Sequence, residues 1–68
     1  MSLIDLRKHN NLTQQDIANI LNCSQQKVSA IENNRLLLTT KDIKSLIDFF
    51  NLDANTVKLL IESQIEKD

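Results

Sequence analysis

The sequence contains no glycine and no proline, and it holds a single cysteine and a single histidine. Without glycine there is no loop that could cradle a phosphate through closely approaching backbone amides, so the glycine-rich nucleotide-binding motifs are excluded. One cysteine cannot form an internal disulfide, and the neighbours of Cys23 do not supply the several Cys or His ligands of a zinc site. Cys23 reads as a small core hydrophobe. His9 stands near the end of the first helix, where it complements the negative end of the helix dipole from a solvated surface. There is no Ser-His-Asp set and there are no clustered carboxylates, so no catalytic residues, metal, cofactor or small-molecule ligand are expected, and the chain does not read as an enzyme. No apolar run approaches the roughly 20 residues that span a bilayer. Met1 leads almost at once into a helix cap at Ser2, without a basic-plus-apolar signal segment. The expectation is a cytoplasmic protein with no membrane partner.

Charge of either sign is also sparse. Eight basic and nine acidic side chains leave a net charge of -1. Residues 1–40 hold four basic and three acidic groups, and residues 41–68 hold four basic and six acidic, so the second half is mildly acidic. The 68 residues read as one domain, 1–68, with no room for a second, ligand-sensing one. A domain of this size buries only about 60% of the surface its unfolded chain exposes, so its core is thin.

What the chain does have is helix grammar. Ser2 with Asp5, Thr13 with Asp16, and Thr39 with Asp42 each pair a capping hydroxyl with a carboxylate three residues on, the spacing of a capping box. Ser24 and Asp53 are further caps. Behind these caps the apolar residues recur at intervals of three and four. Leu3 and Leu6 point inward from a first helix over about Leu3 to His9. Ile17, Ala18 and Leu21 do so from a second, and Val28 and Ile31, with Cys23 just ahead, from a third. Ile43, Leu46, Ile47 and Phe50 form the stripe of a fourth, Leu52 continues the core, and Val57, Leu60, Ile61 and Ile65 line a fifth. No segment shows the alternation of a strand. Arg35 to Thr40 is the longest loop, and Asn22 and Asn51 end helices because Asn, after Gly, best tolerates the left-handed backbone.

The stretch from Thr13 to Arg35, TQQDIANILNCSQQKVSAIENNR, reads as two short helices around a tight polar turn, a helix-turn-helix. It resembles the Cro/cI-like (Xre-type) proteins of phages and bacteria. The resemblance runs from about Leu3 to Val57. It rests on Leu12-Thr13-Gln14 at the first cap, Ala18 as the small residue where the helices cross, Asn22 at the turn, Ser24 as the second cap, and Ile31-Glu32-Asn33 at the end of the recognition helix. Asn11, Asn22, Asn34 and Asn51 stand where the family commonly has glycine, a replacement of modest cost. The resemblance implies an all-α, compact five-helix, lambda-repressor-like domain whose second and third helices form the DNA-binding motif. It also implies an ion pair between Arg7 and Glu32, which ties the first helix to the end of the third and holds Arg7 near a phosphate.

An α-helix fits the major groove, and the N-terminal residues of the recognition helix meet the base edges. Gln25, Gln26, Ser29 and Ala30 are therefore the expected readers, with Lys27 able to reach a guanine or a phosphate. A glutamine amide can donate to and accept from adenine, which predicts some preference for A·T. Phosphate contacts are expected from Gln14, Asn33, Arg35 and Arg7. Charge argues the other way, because phosphate neutralisation supplies most non-specific affinity and this chain has little to offer. Two copies on a two-fold site would multiply the contacts, so a homodimer on double-stranded DNA is the expectation. Leu36, Leu37 and Leu38 cannot all face one core. One or two fold under the fourth helix, and the remainder, with Leu59 or Ile65, forms an apolar patch for a partner. The expected function is a sequence-specific DNA-binding regulator, a repressor that occludes a promoter. The alternative is a protein-interaction module on the same fold, an antirepressor, antitoxin or subunit of a larger complex, that engages a regulatory protein through the leucine loop and the fifth helix.

Overall fold

The computed structural model describes residues 1–65, the side chain of Ile65 excepted. The chain forms α1 (Leu3–His9), α2 (Gln14–Leu21), α3 (Gln25–Glu32), α4 (Thr40–Phe50) and α5 (Ala54–Ile65), with no strand among the described residues. The all-α, five-helix reading holds. Among the described residues no helix is long and apolar enough to cross a membrane, and no group of three or more His, Cys, Asp or Glu gathers as a metal site.

Short-range chemistry sets the helix ends. The capping boxes at Ser2, Thr13 and Thr39 are all closed, each hydroxyl accepting from the amide three residues on while that residue's carboxylate accepts from the cap amide. Ser24 accepts from the Lys27 amide without a reciprocal bond, because the third residue of α3 is a lysine. Asp53 Oδ1 accepts from the Thr56 amide at 2.8 Å. At the other ends the backbone turns left-handed, with φ of 58° at Asn11, 56° at Asn22, 63° at Asn34 and 57° at Asn51. These are the four asparagines that the resemblance sets where glycine is common. A short polar side chain makes that conformation tolerable where most residues would lose roughly 1–2 kcal/mol.

Leu3, Leu6, Ile17, Ala18, Leu21, Val28, Ile31, Leu38, Leu46 and Leu60 form the core. Within it α2 packs on α3 and α4, and α1 packs on α3. Ala18 is wholly buried, and its carbonyl accepts the Cys23 amide at 2.9 Å, closing the turn between α2 and α3. Cys23 itself is half-buried against this core, and burial pushes its thiol above the usual range.

Three expectations need correction. Ile43, Ile47 and Phe50 are half-buried, and only Leu46 on the apolar stripe of α4 is sealed from solvent, as the thinness of the core requires. Ile61 is exposed rather than inward. The side of α5 facing the rest of the chain carries Leu60, Ser63 and Gln64, and Ile61, one residue past Leu60, is rotated out of it. That side is partly polar because Gln64 Oε1 accepts the backbone amide of Leu38. Leu38 is consequently held in the core at 7% exposure and is not available to a partner, while Leu36 and Leu37 stay exposed.

Candidate nucleic-acid interface

The outer face of α3 begins with Gln25 and Gln26, both exposed in its first turn, and continues through the half-buried Ser29 and Ala30. Gln14, at the start of α2, joins Gln25, Gln26 and Ser29 around a shallow open concavity. The two helix starts meet there because the α2–α3 turn is short and Ala18 allows close approach.

A chain of hydrogen bonds fixes this corner. Gln25 Nε2 donates to Gln14 Oε1 at 3.3 Å, and Gln14 Nε2 donates to Glu32 Oε1 at 2.9 Å. Arg7 then grips Glu32 with two bonds, Nε to Oε2 at 2.7 Å and Nη2 to Oε1 at 3.0 Å, and its Nη1 donates to the Leu12 carbonyl at 3.2 Å. The ion pair is part-buried, with side-chain exposures of 15% for Arg7 and 3% for Glu32. Burial alone would raise the Glu32 carboxyl. Bonds from Arg7 and Gln14, with the charges of Arg7 and Lys8, outweigh it and hold the carboxyl below its ordinary value. The guanidinium of Arg7 is correspondingly held more firmly protonated, first by its bond to Glu32.

These contacts are what a helix-turn-helix needs, two helices locked at a fixed angle with the outer face of the second left clear. Residues 3–63 match the family model of a helix-turn-helix domain. The chain belongs to the helix-turn-helix family. It is also similar to the "ImmF control region 10 kDa protein" of Bacillus phage phi105, at 38% identity over 55 residues, 81% of this chain and 61% of that protein. The chain thus spans less than two thirds of that relative's length. No solved structure matches it significantly.

In this helix-turn-helix, α2 and α3 are the motif, and the structure joins Gln14, Gln25, Arg7 and Glu32 into one network. Asn33, at the end of α3, donates from Nδ2 to the Ser29 carbonyl at 2.9 Å and to Ser29 Oγ at 3.3 Å, so it lies against the same face. Arg35 is exposed just beyond, its amide bound to the Ala30 carbonyl at 2.8 Å. Lys27 is drawn elsewhere, with Nζ 3.4 Å from Oδ2 of the buried Asp42 on α4. Leu59 is exposed, but it does not line the hollow that contains Leu36, Leu37 and Leu38. The side chain of Ile65 lies outside the described residues. Sequence reasoning missed the bridging role of Gln14 and the pairing of Asp42. The signal for the first was the presence of amides at both helix starts, and Asp42 was legible only as the capping-box partner of Thr39.

Proposed function

We propose that this helix-turn-helix chain is a sequence-specific DNA-binding transcriptional regulator of the Cro/cI-like type, with α3 in the major groove of a two-fold operator and two copies bound as a dimer. The observation that carries the reading is the pair of exposed glutamines in the first turn of α3, one of them oriented by Gln14. An amide held at a helix N-terminus can pair with adenine through both its donor and its acceptor. Gln25 and Gln26 are the base readers in this proposal, with Ser29 and Ala30 flanking them. Gln14, Asn33 and Arg35 meet phosphates. Arg7 uses three of the guanidinium's five N–H donors within the chain, which leaves two for a phosphate at most. The name of the phage relative, a control region protein, agrees with a repressor acting at a promoter.

The test is enrichment of genomic fragments at low salt by the wild type beside Gln25→Ala and Gln26→Ala. The wild type is expected to enrich discrete A·T-containing sites, and each substitution to weaken them by about 1–3 kcal/mol. Absence of any enriched sequence for the wild type would rule the function out.

Leu36 and Leu37, 47% and 63% exposed, support a copy-to-copy contact and equally a second reading as a protein-interaction module. Sedimentation of Leu37→Glu is expected to shift the chain toward monomer. An unchanged monomer-dimer distribution removes this residue from the interface, and a dimer with no DNA enrichment favours the interaction module.

A further inference from the structure

The start of α3 departs from those of α1, α2 and α4 in one respect. At α1, α2 and α4 the third residue is an aspartate, which closes the capping box and suits the positive end of the helix dipole. At α3 that position is Lys27, a cation where the dipole disfavours one. Its ammonium lies 3.4 Å from Oδ2 of Asp42. Asp42 is 3% exposed, and the same oxygen accepts the Thr39 amide at 3.1 Å.

Lys27 precedes the inward Val28 and lies four residues before the inward Ile31, which puts it on one flank of the core stripe. Glu32 follows Ile31 and lies four residues after Val28, which puts it on the opposite flank. Each flank carries one ion pair, Glu32 with Arg7 of α1 and Lys27 with Asp42 of α4. The recognition helix is braced from both sides by pairs of opposite polarity.

We propose that Asp42 is an internal counter-ion that withholds Lys27 from DNA, making Lys27 a positioning residue of α3 instead of a reader. The withholding rests on the DNA-binding function proposed above. A phosphate that took Lys27 would leave the Asp42 carboxylate buried without its cation, and an uncompensated buried charge costs more than an exposed phosphate contact returns. The outer face of α3 is therefore left to neutral amides. Contact with arbitrary DNA is kept weak, and discrimination falls on Gln25 and Gln26.

The experiment uses the full chain as wild type, Lys27→Met, Asp42→Asn and the double variant. The first measurement is the dependence of log affinity on log salt, on a fragment the wild type enriches. Wild type and Lys27→Met are expected to share one slope. Asp42→Asn, which keeps an acceptor for the Thr39 amide but frees the lysine, is expected to steepen it by about 0.9, one additional phosphate. The double variant returns to the wild-type slope. A slope made shallower by about 0.9 in Lys27→Met, or left unchanged in Asp42→Asn, overturns the withholding. If Asp42→Asn does not fold, the Lys27→Met slope decides by itself. The second measurement is a urea double-mutant cycle without DNA. The unfolding constants are expected to depart from multiplicative behaviour by at least about twofold, and independent effects overturn the brace. A wild type that retains no DNA overturns the proposed function and the withholding with it, and the urea cycle then decides the brace alone.

Discussion

Glu32→Ala is expected to destabilise the fold by about 3 kcal/mol, the lower end of the cost of breaking a buried ion pair from one side, because the Arg7 left behind keeps some contact with solvent. The substitution strips Arg7 of two charge-assisted bonds and leaves the Gln14 amide without its acceptor. A chain of 68 residues has only roughly 3–10 kcal/mol of stability to lose, so much of the population unfolds. Urea unfolding at neutral pH measures this, and a midpoint near that of the wild type would show that the pair carries little of the fold. The same residue sets the response to acid. Its folded-state value is lowered from the ordinary 4.5, so its contribution is fully present above that value and disappears as pH falls through the lower folded one. Asp5 and Asp53, lowered mainly by bonds with Ser2 and Thr56, push in the same direction. Wild-type stability is therefore expected to fall below about pH 4.5, and Glu32→Gln, with no proton to gain there, to give a shallower decline. Parallel declines would assign the acid sensitivity to other carboxylates.

Leu46→Ala is expected to cost about 2–5 kcal/mol, the range for deleting a sealed core leucine when its surroundings cannot close over the gap. Leu46 is at 0% exposure, in the helix that supports α2 from behind. The matched control is Leu59→Ala, the same chemical deletion at a residue 40% exposed, expected to stay within about 0.5 kcal/mol. Thermal or urea unfolding of the two side by side separates core from surface, and equal losses would contradict the placement of Leu46. The contrast bears on function because α2 carries Gln14, and a loosened α2–α4 contact releases the corner where Gln14 orients Gln25.

The helix-turn-helix was legible along the chain because its punctuation is local. A capping hydroxyl and its carboxylate lie three residues apart, and a left-handed asparagine is decided by the sterics of its own backbone. These terms hardly depend on the rest of the fold, so the five helices, their caps and the turn asparagines Asn22 and Asn51 could be read from spacing, while Asn11 and Asn34 came from the family resemblance. The exposed pair Gln25 and Gln26 was legible for the same reason, since Val28 and Ile31 define the inward side of α3. The Arg7–Glu32 pair came from family resemblance, because nothing in the spacing of residues 25 apart reveals it.

Docking of the helices decided the rest. Whether Leu36, Leu37 or Leu38 enters the core depends on where α5 places the Gln64 amide, 26 residues away from Leu38. Ile61 lies outside because the α5 side that meets the core also has to satisfy a loop amide. Lys27 is drawn away from the outer face of α3 only because α4 brings a buried carboxylate within 3.4 Å. In each case two or more side chains compete for one place, and their local preferences are nearly equal. The sequence alone therefore determined the helices, their ends and the outward face of α3, through interactions spanning three or four residues. Only the tertiary structure decided which charges on that face are free, because an ion pair depends on distance in space and on burial.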